Sequence, residues 1–93
     1  MDYLTSDKNA LAFLETNGFV NAVKAADTML KTADVELIST HKIGSGYVSL
    51  IIKGSIGAVK AAAEAGAERL KRSGETVSIL VIQSPDSQLQ KII

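Results

Sequence analysis

The sequence contains no cysteine and no tryptophan, and it has a single histidine and a single proline. Without cysteine, neither a disulfide-stapled fold nor a zinc site built from thiolates can form. Basic and acidic side chains balance at ten each, so the formal net charge is zero. A protein that binds nucleic acid through a basic surface is therefore not expected. Residues 1–20 hold four charged side chains and no long apolar run, which predicts neither a signal peptide nor a membrane span and favours the cytoplasm.

The sequence is instead rich in aliphatic residues. Hydrophobic residues make up 46% of the 93 residues, but aromatic ones only 4%. The length predicts one domain. We interpret residues 1–9, which are mostly polar, as an N-terminal arm and residues 10–93 as a single domain. Because a neutral surface lacks the self-repulsion that keeps copies apart, its composition permits self-association.

Hydrophobic periodicity predicts the order of strands and helices. It predicts strands at 10–15, 35–43, 47–53 and 76–82, helices at 19–33 and 55–72, and a short final helix at 87–92. At 10–15 the flanking turn residues favour a strand, because periodicity alone does not separate a strand from a short helix there. The order β-α-β-β-α-β is typical of an α+β, ferredoxin-like fold: one antiparallel sheet with two helices on one face. The last strand is nearly all apolar at its end, so we expect it to be buried on both faces.

The two helices carry more detailed signals. The first is expected to bury a stripe at three- and four-residue spacing, made of Phe19, Ala22, Val23, Ala26, Met29, Leu30 and Ala33. In the second helix, Ser55 is a plausible N-cap and Gly74 a plausible terminator. Gly66 in the middle of this helix predicts the close approach of another backbone, since glycine costs about 1 kcal/mol there relative to alanine.

A search for catalytic residues returns little. His41 has no second ligand at metal spacing, so it is interpreted as a surface or interface side chain. Glu15 and Glu36 could form an acid–base pair, although strand carboxylates are more often structural. Arg69 and Arg72 lie late in the second helix, a poor position for an anion cradle. The sequence therefore predicts neither an enzyme nor a cofactor.

The segment Gly44-Ser45-Gly46 is the most informative loop. Its simplest interpretation is a hairpin turn. It is not a phosphate loop, because no Gly-Lys-Ser/Thr follows and a strand comes next instead of a helix. If several copies surrounded one axis with this loop innermost, the Ser45 hydroxyls and nearby backbone N–H groups would form a narrow polar opening.

Four segments together resemble the hexameric, single-domain shell proteins of bacterial microcompartments, such as those around propanediol-, ethanolamine- or choline-degrading enzymes. They are Leu14-Glu15-Thr16-Asn17-Gly18, Ala25-Ala26-Asp27-Thr28-Met29-Leu30-Lys31, Lys42-Ile43-Gly44-Ser45-Gly46, and Gly54-Ser55-Ile56-Gly57-Ala58-Val59-Lys60-Ala61-Ala62 followed by Ala65-Gly66-Ala67. The resemblance covers about residues 10–86, and the four motifs occur in the family's order.

The resemblance implies a flat cyclic hexamer. Gly44, Ser45 and Gly46 would line its central pore, with Lys42 and Ile43 beside the pore. The hexamer edge would include Lys31, Asp27, Ser84 and Pro85. Without the family, Lys31 is more simply interpreted as a solvated lysine at a helix end, paired with Asp27.

One departure from the family pattern concerns the edge. Ser84-Pro85-Asp86 stands where many relatives have Arg-Pro-His. Since serine cannot make the bidentate charged contact of an arginine, edge-to-edge tiling is expected to be weaker or differently made.

The expected function is a non-enzymatic shell tile in the bacterial cytoplasm, with a narrow pore for small polar metabolites. Its expected partners are copies of itself, other shell proteins and the enclosed enzymes, but neither nucleic acid nor a membrane. The alternative is a regulatory domain of the same fold that binds a small molecule, since a fold does not fix a function.

Overall fold

The computed structural model describes residues 10–75 and 77–83. It contains strands β1 (Ala10–Asn17), β2 (Glu36–Ile43), β3 (Tyr47–Gly54) and β4 (Val77–Gln83), and helices α1 (Phe19–Thr32) and α2 (Ile56–Lys71). The strands form one antiparallel sheet in the order β2-β3-β1-β4. The predicted α+β class is thus confirmed, with boundaries within two residues of the predicted ones. The final helix predicted at 87–92 lies outside the described residues.

The two faces of the sheet differ. Alternate residues of β1, from Ala10 to Leu14, lie in the main core with both helices, which pack against each other and against this face. Leu11 and Ile51 form a smaller apolar cluster on the opposite face. A bulge in β2 between Leu37 and Ser39 places Ile38 beside that smaller cluster. The helices therefore cover one face only.

Helix α1 buries a narrower stripe than its periodicity predicts. Ala22 and Met29 of the predicted stripe are buried, and so is Ala25, which the prediction left out. Phe19, by contrast, is 62% exposed, and Val23 and Leu30 are about half exposed. Small alanine side chains let α1 approach the sheet and α2 closely. Among the large apolar side chains of the predicted stripe, Met29 is buried in this core, and Phe19, Val23 and Leu30 stay largely outside it.

Helix α2 begins and ends as predicted. The Ser55 hydroxyl accepts a hydrogen bond from the Ala58 N–H at 3.2 Å, which caps the N-terminus. After the helix ends, Gly74 has a φ of 82°, and the Glu75 N–H donates to the Leu70 carbonyl at 3.0 Å. Such a left-handed residue with a hydrogen bond back to the last turn is a common way to end a helix.

Gly66 of α2 does mark a close approach, but the prediction of a second backbone there is wrong. A Cβ added to Gly66 would lie 2.8 Å from Cγ of Met29 and 3.3 Å from Cδ1 of Leu14. The absent side chain therefore makes room for the buried Met29 side chain of α1.

The expectation that β4 is buried on both faces is wrong for the single chain. Strand β4 lies at the end of the sheet and, among the described strands, pairs with β1 alone. Ile79 and Leu80 are 39% and 57% exposed. An apolar run of this length fits a buried strand or a strand that another molecule covers, and sequence periodicity does not separate the two.

Candidate functional site

The loop between β2 and β3 has a sharply defined backbone. Ser45 and Gly46 have φ angles of 66° and 84°, and the Tyr47 N–H lies 3.4 Å from the Gly44 carbonyl oxygen. Positive φ at both central positions is what a type I′ hairpin turn requires. Glycine adopts this region freely, whereas Ser45 is the one non-glycine residue of the described chain that does so. The predicted hairpin turn is confirmed, with the serine itself in the left-handed region.

A second segment anchors this loop, a contact that was not predicted from the sequence. The Gly18 N–H donates to the Gly46 carbonyl at 2.8 Å, at the junction of β1 and α1. A Cβ on Gly46 would lie 3.2 Å from Oδ1 of Asn17, whose carbonyl accepts a bond from the Asn21 side chain at 2.7 Å. The dipeptide Asn17-Gly18, a common turn signal between a strand and a helix, was the available clue.

The loop lies at the surface of the single chain. Gly44, Ser45 and Gly46 are all exposed, and a Cβ on Gly44 would meet no atom within 4 Å. The loop therefore presents the Ser45 hydroxyl and bare backbone to its surroundings. Such groups can donate and accept hydrogen bonds without carrying a charge.

Lys42 and Ile43, the last two residues of β2 before the loop, lie on opposite faces of the sheet. Lys42 is opposite the buried Val48 of β3 and shares the helix-bearing face. Ile43 is opposite Tyr47, and this pair lies on the other face. All but Val48 are exposed. One side of the loop thus carries a cation and the other an apolar pair.

Lys31 and Asp27 lie at the far end of α1 from the loop. Their charged atoms, Nζ and Oδ2, are 3.1 Å apart, and the side chains are 76% and 61% exposed. Since a helix rises about 1.5 Å per residue, Lys31 is roughly 18 Å along the axis from Phe19, which follows the loop anchor. Ser84 and Pro85, the other two predicted edge residues, lie outside the described residues.

The residues considered for catalysis are not brought together. Glu15 is opposite Ser49 in β3, whereas Glu36 is opposite Lys53, four residues further along that strand. At about 3.3 Å per residue, the two carboxylates belong to rows some 13 Å apart, too far for an acid–base pair. His41 is exposed, and its Nε2 lies 2.5 Å from the Ser39 hydroxyl oxygen. The predicted surface position of His41 is confirmed.

Within residues 10–75 and 77–83, no group of three or more His, Asp or Glu side chains is placed to hold a metal ion. Neither of the two described helices has both the length and the apolar content to cross a membrane.

An apolar cavity of about 220 Å³ lies between α1 and the strands β2 and β3. It is lined by Phe19, Ala22, Val23, Ala26, Leu37, Thr40 and Leu50. Thr40 is the only polar side chain among them. A small-molecule site usually places several converging polar groups in an apolar pocket, and this cavity does not.

Comparison with known proteins identifies a family whose model matches this chain. The BMC domain model matches residues 10–85. The bacterial microcompartment shell protein PduA of Salmonella typhimurium is 44% identical over 86 residues, which cover 92% of either chain. The carboxysome shell protein CsoS1A of Hydrogenovibrio crunogenus is 40% identical over 85 residues, 90% of this chain and 88% of that one.

A solved structure shares the fold. The chain superposes on a microcompartments protein from Desulfitobacterium hafniense with a TM-score of 0.80 and 29% sequence identity. The match covers 90% of this chain but 48% of the other, so this chain spans about half of that protein's length.

Proposed function

The chain belongs to the BMC-domain family, and from that premise we propose that it is a structural tile of a bacterial microcompartment shell, built as a cyclic hexamer. Its relatives are named as shell proteins of two kinds of compartment, bacterial microcompartments and carboxysomes. The function is that of a barrier, without chemistry of its own. The tile works in the bacterial cytoplasm, within the shell.

The observation that carries the proposal is the position of the anchored, exposed loop. Residues 44–46 form the tip of the β2–β3 hairpin, and the bond from Gly18 fixes this tip to the main fold. A rigid, small, uncharged tip can meet five copies of itself around an axis, because glycine lets backbones approach closely. Gly44, Ser45 and Gly46 would then line a narrow pore that selects small polar metabolites by diameter and hydrogen bonding.

In the same proposal, the outer edge of the hexamer lies at the far end of α1 from the loop. With the loop at the axis, α1 runs outward and its last turn, with Asp27 and Lys31, reaches the rim. Ser84 and Pro85 follow β4, which also runs outward from the loop end. These residues would meet adjoining hexamers, and two facing Lys31 side chains would need carbonyl or carboxylate acceptors for their protons.

We also assign the arrangement to the ferredoxin-like type, with residues 1–9 as an arm and 10–93 as one domain. The element order and the sheet order β2-β3-β1-β4 support this assignment. The partners are further copies, other shell proteins and the enclosed enzymes. The regulatory alternative gains no support from the cavity beside α1, whose lining holds a single polar side chain.

Electron microscopy of the purified full chain tests the proposal. We expect flat particles with a central opening, and hexagonal arrays of them at high concentration. Particles without sixfold symmetry, or a protein that remains monomeric at micromolar concentration, would contradict the proposal.

A further inference from the structure

Residues that lie directly opposite each other on neighbouring strands form a row across the sheet. One such row links Ile79 to the apolar cavity. Ile79 of β4 is opposite Leu14, Leu14 is opposite Leu50, and Leu50 is opposite Thr40. Directly opposed residues of antiparallel strands point to the same face. Leu14 and Leu50 belong to the core beneath the helices, so this is the helix-bearing face. Ile79 and Thr40 therefore stand at the two ends of one row, on opposite flanks of the molecule.

The flank that carries Thr40 offers an apolar recess. The cavity of about 220 Å³ opens there between α1 and β2, with Phe19 and Val23 more than half exposed. None of its lining residues is charged. A dry apolar cavity of about 150 Å³ is large enough to bind benzene, so this one can admit an aliphatic side chain.

The opposite flank offers an apolar edge. The sequence of β4, Val77–Gln83, holds no charged residue and no proline. Strands that stay at the edge of a sheet are usually protected by such residues, so an edge without them is suited to contact another chain. Ile79 is 39% exposed on this edge, on the same face and row as the recess.

We infer that Ile79 of one copy inserts into the recess between α1 and β2 of the next copy around the ring. The inference rests on the proposed hexamer and names the surfaces that build it. Both surfaces are apolar and carry no charged side chain, so their contact would bury no charge. Contact between two different flanks is head-to-tail, the kind that generates closed rings when the rotation closes.

Disulfide trapping tests the inference directly, because the natural chain has no cysteine that could compete. The test variant is Thr40→Cys with Ile79→Cys, oxidised at micromolar concentration. We expect a series of covalent oligomers from two to six chains on non-reducing gels. The matched control is Thr40→Cys with Leu80→Cys, whose second cysteine neighbours Ile79 on β4 but points to the other face.

The control should give at most a tenth of the linked product, because a disulfide needs Cβ atoms about 4 Å apart. Equal linking of both pairs, or no linking in a Thr40→Cys/Ile79→Cys protein that light scattering shows to be hexameric, would overturn the inference and leave the hexamer standing. A monomeric wild-type protein would instead overturn the hexamer and the inference together.

A charge placed on Ile79 gives a second, independent test. Ile79→Asp would bury an unpaired carboxylate in the recess, so we expect the concentration at which hexamers dissociate to rise more than tenfold. Ser78→Asp, on the other face of the same strand, should change it less than threefold. Circular dichroism checks that both variants fold. Equal dissociation of folded Ile79→Asp and Ser78→Asp would overturn the inference.

Discussion

At the residue scale, the loop depends on backbone angles that only a few residue types adopt. Ser45 has a φ of 66°, a region in which most side chains lose about 1–2 kcal/mol. The sequence predicted a turn here because two glycines flank a serine. It did not predict that Gly18 would hold the loop, because the bond joins residues that are far apart in sequence.

Ser45→Leu tests the role of the loop in permeation. A leucine at each of six positions would narrow the opening and remove its hydroxyl groups, so we expect intact hexamers and slower passage of polar metabolites into whole compartments. Ser45→Ala is the control, because alanine must adopt the same positive φ as leucine but has a small side chain. Unchanged metabolite flux in the leucine variant would contradict a gating role for Ser45.

Gly66→Ala tests the contact between the two helices. The new methyl group would come within 2.8 Å of the buried Met29 side chain, so we expect the free energy of unfolding to fall by about 1–3 kcal/mol. Gly57→Ala is the control in the first turn of the same helix, where a Cβ meets nothing within 4 Å. There the better helix propensity should stabilise the chain by up to about 1 kcal/mol. Urea unfolding measures the free energy of unfolding of both variants. If both substitutions changed it in the same direction, the proposed steric conflict at Gly66 would be contradicted.

Thr16→Val tests a buried polar atom. Thr16 is fully buried at the end of β1, and its Oγ1 has no hydrogen-bond partner in the described part of the chain. Valine has nearly the same shape and no hydroxyl group, so we expect equal or up to about 2 kcal/mol greater stability in urea unfolding. A loss above about 1 kcal/mol would mean that the hydroxyl group has a partner.

At the element scale, periodicity predicted where α1 and β4 lie but not which of their side chains are buried. A hydrophobic stripe shows that side chains avoid water, and it does not show whether their own core or another copy covers them. Phe19 and Val23 of α1 and Ile79 of β4 are the residues that this ambiguity affects. All three are apolar, all three are exposed in the single chain, and they lie on the two flanks that a ring would cover.

Ser55→Ala tests the start of α2. The hydroxyl group accepts the Ala58 N–H at 3.2 Å, so its loss should cost about 1 kcal/mol of unfolding free energy. Ser55→Asp keeps an acceptor at the cap and should unfold within about 0.5 kcal/mol of the natural chain. If alanine and aspartate behaved alike in thermal unfolding, the cap would not stabilise the helix.

At the scale of the whole molecule, the fold and the loop could be predicted from the sequence because each element carries its own local signal. The shared row of Ile79 and Thr40 could not, because it depends on cross-strand register. The row that joins Ile79 to Thr40 runs through four strands, and next to it the bulge in β2 between Leu37 and Ser39 shifts the register by one residue. A one-residue shift turns every following side chain to the other face.

Lys31→Asp tests the outer edge. The ion pair with Asp27 is exposed, so breaking it, together with the unfavourable helix-end charge, should cost the single chain about 1 kcal/mol or less. We therefore expect folded hexamers that form few sheets. Lys24→Asp, seven residues earlier on the same helix face, serves as the control and should still form sheets. Sheets of normal size from Lys31→Asp, seen by electron microscopy, would refute the edge position of Lys31.

The most direct measurement of the central claim is the mass of the purified full chain in solution, by light scattering at micromolar concentration. A hexameric tile predicts a single species of six chains that does not fall apart on tenfold dilution. A stable monomer or dimer would contradict the shell-tile function.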